Sequence, residues 1–224
     1  MMLRALVFDF DGLILDTEVP QYLTVKAEFE AHGVERSLEA WLDIIGRVDH
    51  DHWVDWLERE VGAPIARDVV RARRLVQHHQ MIMANEVLPG VVELLDQAEA
   101  RGIPAAVASS SHHDWVCGHL DRLGLLPRFA VTVTREQVER AKPWPDLFLA
   151  ALDQLGVGSR GSVALEDSRN GCVAAQAAGM FCVVAPNELT RRQDLTHADL
   201  VVPSLLDLDL DDLDRLVARS LSAP

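Results

Sequence analysis

Two aspartates stand where an apolar run stops: Ala5-Leu6-Val7-Phe8 leads directly into Asp9-Phe10-Asp11-Gly12. On an extended segment, side chains two residues apart point to the same side, so Asp9 and Asp11 can face one pocket. Two anions in one pocket repel unless a cation joins them, and a hard divalent ion with oxygen ligands, Mg2+ above all, is the natural partner. Gly12 then allows a tight turn. Taken alone, Asp-x-Asp-Gly also reads as a strand that ends in an acidic turn, so the rest of the chain has to decide.

Three further clusters bear on that choice. Ser109-Ser110-Ser111 closes the apolar stretch Ala105-Ala106-Val107-Ala108. A hydroxyl and free amides at a strand end entering a helix bind phosphate well, although a serine run also suits a helix cap or a loop. Lys142 stands in Ala141-Lys142-Pro143-Trp144-Pro145-Asp146-Leu147-Phe148, and the chain has only one other lysine, Lys26, among 21 basic residues. A lysine kept where arginine is otherwise chosen suggests that a compact point charge is required. Glu166-Asp167 follows the apolar Ser162-Val163-Ala164-Leu165 and precedes Ser168-Arg169-Asn170-Gly171. Acids there also suit a helix N-terminus, and both readings can hold together.

With the first segment taken as Phe8-Asp9-Phe10-Asp11-Gly12-Leu13-Ile14-Leu15-Asp16-Thr17-Glu18, these four motifs come in an order that resembles the haloacid dehalogenase-like hydrolases. The resemblance covers nearly the whole chain and is to the group containing beta-phosphoglucomutase and small phosphosugar phosphatases. It implies that Asp9 attacks the substrate phosphorus and that Asp11 protonates the leaving oxygen, then deprotonates the attacking water. It further implies Mg2+ held by the Asp9 carboxylate, the Asp11 backbone carbonyl and the Asp167 carboxylate, with Glu166 in or just outside that shell. Ser109 and Lys142 would then supply the hydroxyl and the cation that phosphoryl transfer needs opposite the metal.

Such chemistry needs elements that bring distant residues together. Strand candidates lie near residues 4–9, 103–108, 129–133, 162–166, 180–184 and 199–202, with helical stretches between most of them from residue 89 onward. This alternation predicts an α/β fold, a Rossmann-like parallel-sheet core covered on both faces. The motifs fall at the carboxyl ends of strands, where open α/β sheets bind ligands. Residues 17–86 show helix-like patterns such as Tyr22–Phe29 and Asp51–Leu57 and no convincing strand. They are read as an inserted α-helical cap domain, with 1–16 and 87–224 as the core. Chain crossings near Leu15–Thr17 and Asn85–Pro89 would let the cap open and close over the site. The leucine-aspartate alternation at 207–214 reads as the lead into an amphipathic terminal helix.

The cap departs from the mutase pattern. Mutases of this type carry a histidine shortly after Asp-Thr and a Gly-Val-Ser-Arg-like loop, where this sequence has Gln21 and Gly46-Arg47-Val48-Asp49-His50. A mutase must also keep water from its aspartyl-phosphate. The expectation is therefore a Mg2+-dependent phosphatase of a small phosphorylated metabolite, a sugar phosphate, with a phosphosugar mutase as the alternative. Gln21, Arg47, His50, Ser110, Ser111 and His112 are the candidate substrate contacts, though an exposed Arg47 or His50 is the plainer reading. A dehalogenase is disfavoured by Asp11 and Glu166-Asp167, and a phosphonatase by Lys26, the sole cap lysine, lying in a helix-like segment. A catalytically silent binding protein would have little need of four intact motifs. Adjacent histidines such as His78-His79 and His112-His113 point in different directions on a helix and make no transition-metal site.

Composition agrees. A chain of 224 residues that is 49% hydrophobic can fill one core with an insertion. A formal charge of −14 argues against nucleic acid or an anionic membrane as partner. Cys117, Cys172 and Cys182 show no metal or redox spacing, and reduced thiols are the simpler reading. The start Met1-Met2-Leu3-Arg4 runs into the first strand without a targeting segment, so a cytoplasmic protein, monomeric or weakly dimeric, is expected.

Overall fold

Six short apolar runs form the strands β1 (Ala5–Phe8), β2 (Ala105–Ala108), β3 (Val131–Val133), β4 (Ser162–Glu166), β5 (Phe181–Val184) and β6 (Leu200–Val201). In the computed structural model, which describes residues 2–35, 37–42, 45 and 53–222, they make one parallel sheet in the order β3-β2-β1-β4-β5-β6. These are the six places where the sequence pattern predicts strands. Such a sheet must be covered on both faces, which is why its strands read as continuous apolar runs and not as alternating ones.

The pleat divides the core in two. Leu6, Phe8, Val107, Leu165 and Val183 face α5 (Val91–Ala100), α6 (His113–Arg122) and α9 (Leu210–Ser222), while Val7, Ala106, Ala164, Cys182 and Val184 face α7 (Asp146–Leu155) and α8 (Arg169–Ala177). The expected terminal helix is α9, which buries Leu210, Leu213 and Val217. From β1 the chain passes to β2 and β3 on one side of the sheet, and β4, β5 and β6 lie on the other. The carboxyl ends of β1 and β4 therefore flank the topological switch point, where a crevice opens between loops that leave in opposite directions.

Between β1 and α5 stand α1 (Glu18–Ala31), α2 (Leu38–Leu42), α3 (Trp53–Val61) and α4 (Arg67–Ala84), with no strand among the described residues of that segment. These helices have a core of their own, built on Val25, Phe29, Trp41, Leu57 and Val70. Buried Glu28 of α1 accepts a hydrogen bond from Arg73 Nε of α4 at 2.8 Å. The insertion leaves and returns at one spot, where Leu15 and Val87 form an antiparallel bridge. There Leu88 N donates to Ile14 O at 2.9 Å and Asn85 Nδ2 to Asp16 O at 2.7 Å. Arg47 and His50 lie outside the described residues.

Leu6 is fully buried on the central strand, in register with Ala105 and Val163. Leu6→Ala should destabilise the protein by about 2–5 kcal/mol through lost burial and a residual cavity. Urea unfolding checks this, with a lower midpoint and an unchanged slope as the expected result.

Candidate active site

The carboxyl ends of β1, β2 and β4, together with the segment between β3 and α7, deliver the chemistry-bearing residues to one crevice. Asp9 leaves β1 with its amide donating to Leu165 O at 2.9 Å, so it is fixed against β4 before its side chain begins. Its carboxylate and that of Glu166 clasp the same ammonium: Lys142 Nζ lies 2.6 Å from Asp9 Oδ1 and 2.6 Å from Glu166 Oε1. All three side chains are buried, Lys142 at 1% exposure. Asp167 completes the cluster, and one carboxylate oxygen each of Asp9, Glu166 and Asp167 lie within 4.8 Å of one another.

Local structure holds these groups with little slack. Ser168 caps α8 by accepting from Gly171 N at 3.2 Å, which turns the chain just after the two acids. A side chain at Gly171 would place its Cβ 2.0 Å from the Glu166 carboxyl group. Gly12 has φ of +79° and its missing Cβ would meet Asp167 Oδ2 at 2.3 Å, so glycine is required there both for the turn and for the approach. Asn187 Nδ2, just beyond β5, donates to Asp167 Oδ2 at 2.8 Å.

Asp11 belongs to the same crevice but a different network. Its Oδ1 accepts from Thr17 Oγ1 at 2.9 Å and from Trp115 Nε1 at 3.0 Å. Its Oδ2 accepts from Ser111 Oγ at 2.6 Å and Ser109 Oγ at 3.3 Å. Ser109 is fully buried and its Oγ also accepts from Ser111 N at 3.0 Å, so that serine amide is satisfied within the loop. Ser110 is half-buried between them.

Asp9, Asp11, Ser109, Ser111, Lys142, Glu166 and Asp167 are thus brought together. Gln21 lies half-buried in the first turn of α1. His112 points elsewhere: its ring is exposed, with Nδ1 2.6 Å from Glu136 Oε1 and Nε2 3.4 Å from Arg135. Sequence reasoning assigned no role to Thr17, Trp115 or Asn187. Asn187 had the same signal as the acids, a polar side chain just past a strand end. Trp115, four residues after Ser111 on the first turn of α6, had none without the fold.

The electrostatics follow from burial. Burial, with the Glu166 charge next, pushes Asp9 up to about 8 even though Lys142 opposes the shift. Asp167 is pushed well up by burial and then by Asp9 and Glu166. Half-buried Glu18 at the start of α1 is likewise pushed up to about 8, by burial first and then by Asp11 and Asp9. Burial works against the Lys142 charge, but Asp9 and Glu166 outweigh it and hold the ammonium above its ordinary value. Three carboxylates around one ammonium leave excess negative charge, and the donors are all hard oxygens. Asp9, Glu166 and Asp167 therefore fit a hard divalent cation such as Mg2+, and they are the one such cluster among the described residues.

A parallel α/β sheet with a helical insertion and a buried acid-lysine cluster at its switch point defines a class of phosphoryl-transfer hydrolase. The chain belongs to the haloacid dehalogenase-like hydrolases, whose family model matches residues 6–185. It is 37% identical over 209 residues to YhcW of Bacillus subtilis (strain 168), covering 93% of this chain and 95% of that one. The phosphorylated carbohydrates phosphatase of Thermotoga maritima is 28% identical over 181 residues, covering 80% of this chain and 82% of that one. A crystal structure of a CbbY variant from Rhodobacter sphaeroides in complex with xylulose-(1,5)bisphosphate superposes with a TM-score of 0.71 at 26% identity, covering 92% of this chain and 96% of that one. The protein is a phosphatase of this family. No helix among the described residues is long and apolar enough to cross a membrane.

The raised carboxyl groups make a signed prediction. Folded Asp9 and Glu18 keep protons up to about pH 8, whereas unfolded carboxyls lose theirs near pH 4. In chelator, the folded state therefore holds more protons across that window, and stability falls as pH rises through it. A divalent cation in the acid cluster replaces the proton on Asp9, so its stabilising effect should grow with pH. Calorimetry with EDTA or Mg2+ should show a larger gain in Tm at pH 8 than at pH 5; equal gains would remove the proton competition, and no gain at either pH would refute the metal site.

Proposed function

We propose that the protein is a Mg2+-dependent phosphatase that releases phosphate from a small sugar phosphate through a covalent aspartyl-phosphate on Asp9. The observation that carries this reading is the shared clasp of Asp9 and Glu166 on buried Lys142, with Asp167 beside it and Asp11 facing the same crevice. In the first step an Asp9 carboxylate oxygen bonds to phosphorus as the ester P–O bond breaks, and Asp11 gives its proton to the departing sugar oxygen. In the second, Asp11 takes a proton from water, the water oxygen bonds to phosphorus, and the acyl-phosphate P–O bond breaks to free Asp9. Lys142 Nζ, Ser109 Oγ and the Ser110 amide hold the phosphoryl oxygens. Mg2+, held by Asp9, Asp167 and the Asp11 carbonyl with Glu166 alongside, would offset the repulsion between carboxylate and phosphate.

Residues 17–86 act in this reading as a cap that moves about the Leu15–Val87 bridge, with 1–16 and 87–224 as the core. Gln21, Arg47 and His50 from the cap, and Ser110 and Ser111 from the core, form the substrate side, while His112 is engaged with Glu136 and is left out of it. The named substrates of the Thermotoga phosphatase and the CbbY complex support a sugar phosphate. Gln21 in place of the mutase histidine supports hydrolysis over phosphate return.

Phosphate release from a panel of phosphorylated sugars should require Mg2+, stop with chelator, and fall by at least about a thousandfold in Asp9→Asn. A hexose 1-phosphate primed with its bisphosphate should yield free phosphate; isomer accumulating without it would establish the mutase instead. Lys142→Arg should lose about a hundredfold, because a planar guanidinium cannot replace a buried point charge clasped from two sides. Wild-type rates in that variant would remove the point-charge requirement.

A further inference from the structure

Among the described residues four side chains donate to Asp11; two of them, Thr17 and Trp115, have no part in the chemistry proposed above, and of these Trp115 is held by ring packing. The indole of Trp115 lies nearly parallel to the imidazole of His78, with centroids 5.7 Å apart and planes at 17°. It meets the ring of His119 edge-on, at 4.3 Å and 74°. Arg122 Nε donates to His119 Nδ1 at 3.3 Å, and its guanidinium also donates to Asn85 O at 3.2 Å. Trp115, His119 and Arg122 share one face of α6 in the core, while His78 lies on α4 of the insertion and Asn85 directly follows that helix. One helix face of the core is thus seated on one helix of the insertion, and Asp11 lies at the end of the contact.

His78 is an unusual residue for a purely structural contact. It is only 6% exposed, and among the described residues its Nε2 has no hydrogen-bond partner. Burial, then the charge of Arg74, holds it down to about 4, so at neutral pH it presents an uncharged ring to the indole. A buried polar atom without a partner lowers stability, and a leucine would fill the space without that penalty. What the imidazole adds is a flat aromatic face against the indole, which fixes the direction of the indole N–H.

We propose that Trp115 is a positioning residue for Asp11, and that His78 makes this positioning depend on how the inserted helices sit on the core. The indole nitrogen is a donor only, so it holds Asp11 Oδ1 in one direction and leaves the carboxyl group one orientation toward the leaving oxygen. If α4 shifts from α6, the indole loses the ring behind it, and its hold on Asp11 loosens. The proposal rests on Asp11 as the acid and base, and its test separates the two.

Trp115→Phe keeps the ring and removes the donor. It should lower kcat/KM for glycerol phosphate, whose alkoxide needs a proton to leave, by about tenfold. For p-nitrophenyl phosphate, whose phenolate leaves without one, the loss should stay under about threefold. His78→Leu should show the same leaving-group pattern to a smaller degree. Equal losses on both compounds, or none, would overturn the assignment, since a general packing defect does not distinguish leaving groups. The geometry is read independently from the 15N-1H indole resonance that disappears in Trp115→Phe. It should move in Asp11→Asn and in His78→Leu, and a resonance indifferent to both overturns the inference even if Asp9→Asn abolishes phosphate release.

Discussion

One ammonium buried between two carboxylates, with a third carboxylate within reach, is the constraint around which the rest of this protein is arranged. Buried ions are tolerated only where partners compensate for lost hydration, and removing one partner leaves the others exposed to that penalty. Here compensation is incomplete by design of the cluster: Lys142 matches one negative charge, and burial raises Asp9 and Asp167 toward their neutral forms. A site in this condition welcomes added positive charge, and a phosphate can approach carboxylates only once such charge is present. The glycines at 12 and 171 show how closely the chain is packed around the acids, since any side chain there would strike Asp167 or Glu166.

The sheet is what makes that cluster possible. No two of Asp9, Lys142 and Glu166 are near in sequence, yet each is carried at or beyond the carboxyl end of a strand or on the segment that leaves it. The parallel order places β1 beside β4, so Asp9 and the Glu166-Asp167 pair exit next to each other at the switch point. Strands buried on both faces leave little freedom for these exits to drift. The result is an acidic site rigid in its floor.

The insertion is built separately. It has its own apolar core and joins the sheet domain through two crossings tied together by the Leu15–Val87 bridge. Its other contacts with the core are mixed: Leu189 packs into the insertion's apolar cluster, Ile82 into that of the sheet and His78 against Trp115, while Asn170 Nδ2 donates to Ile45 O at 2.7 Å, Gln193 Nε2 to Leu42 O at 2.6 Å, and Arg122 to the carbonyl of Asn85. Hydrogen bonds at such a seam can be exchanged for water at small net cost, whereas the two apolar cores cannot be opened so cheaply.

The sequence by itself determined the strands and the α/β class, because each depends on local pattern: apolar runs of strand length separated by helical stretches. Asp9, Asp11, Ser109, Lys142, Glu166 and Asp167 were legible as candidates from four ordered motifs that resemble the family, and the scarcity of lysine singled out Lys142. Which charges face one another was not legible. Only the tertiary structure decided that Lys142 bridges Asp9 and Glu166, and that Asp11 turns instead to Thr17, Trp115 and the serines. Only it turned His112 toward Glu136 and set His78 of the insertion against Trp115. Side-chain pairing between elements distant in the chain depends on strand order and on the seating of helices, and neither leaves a periodic trace in the residues that take part.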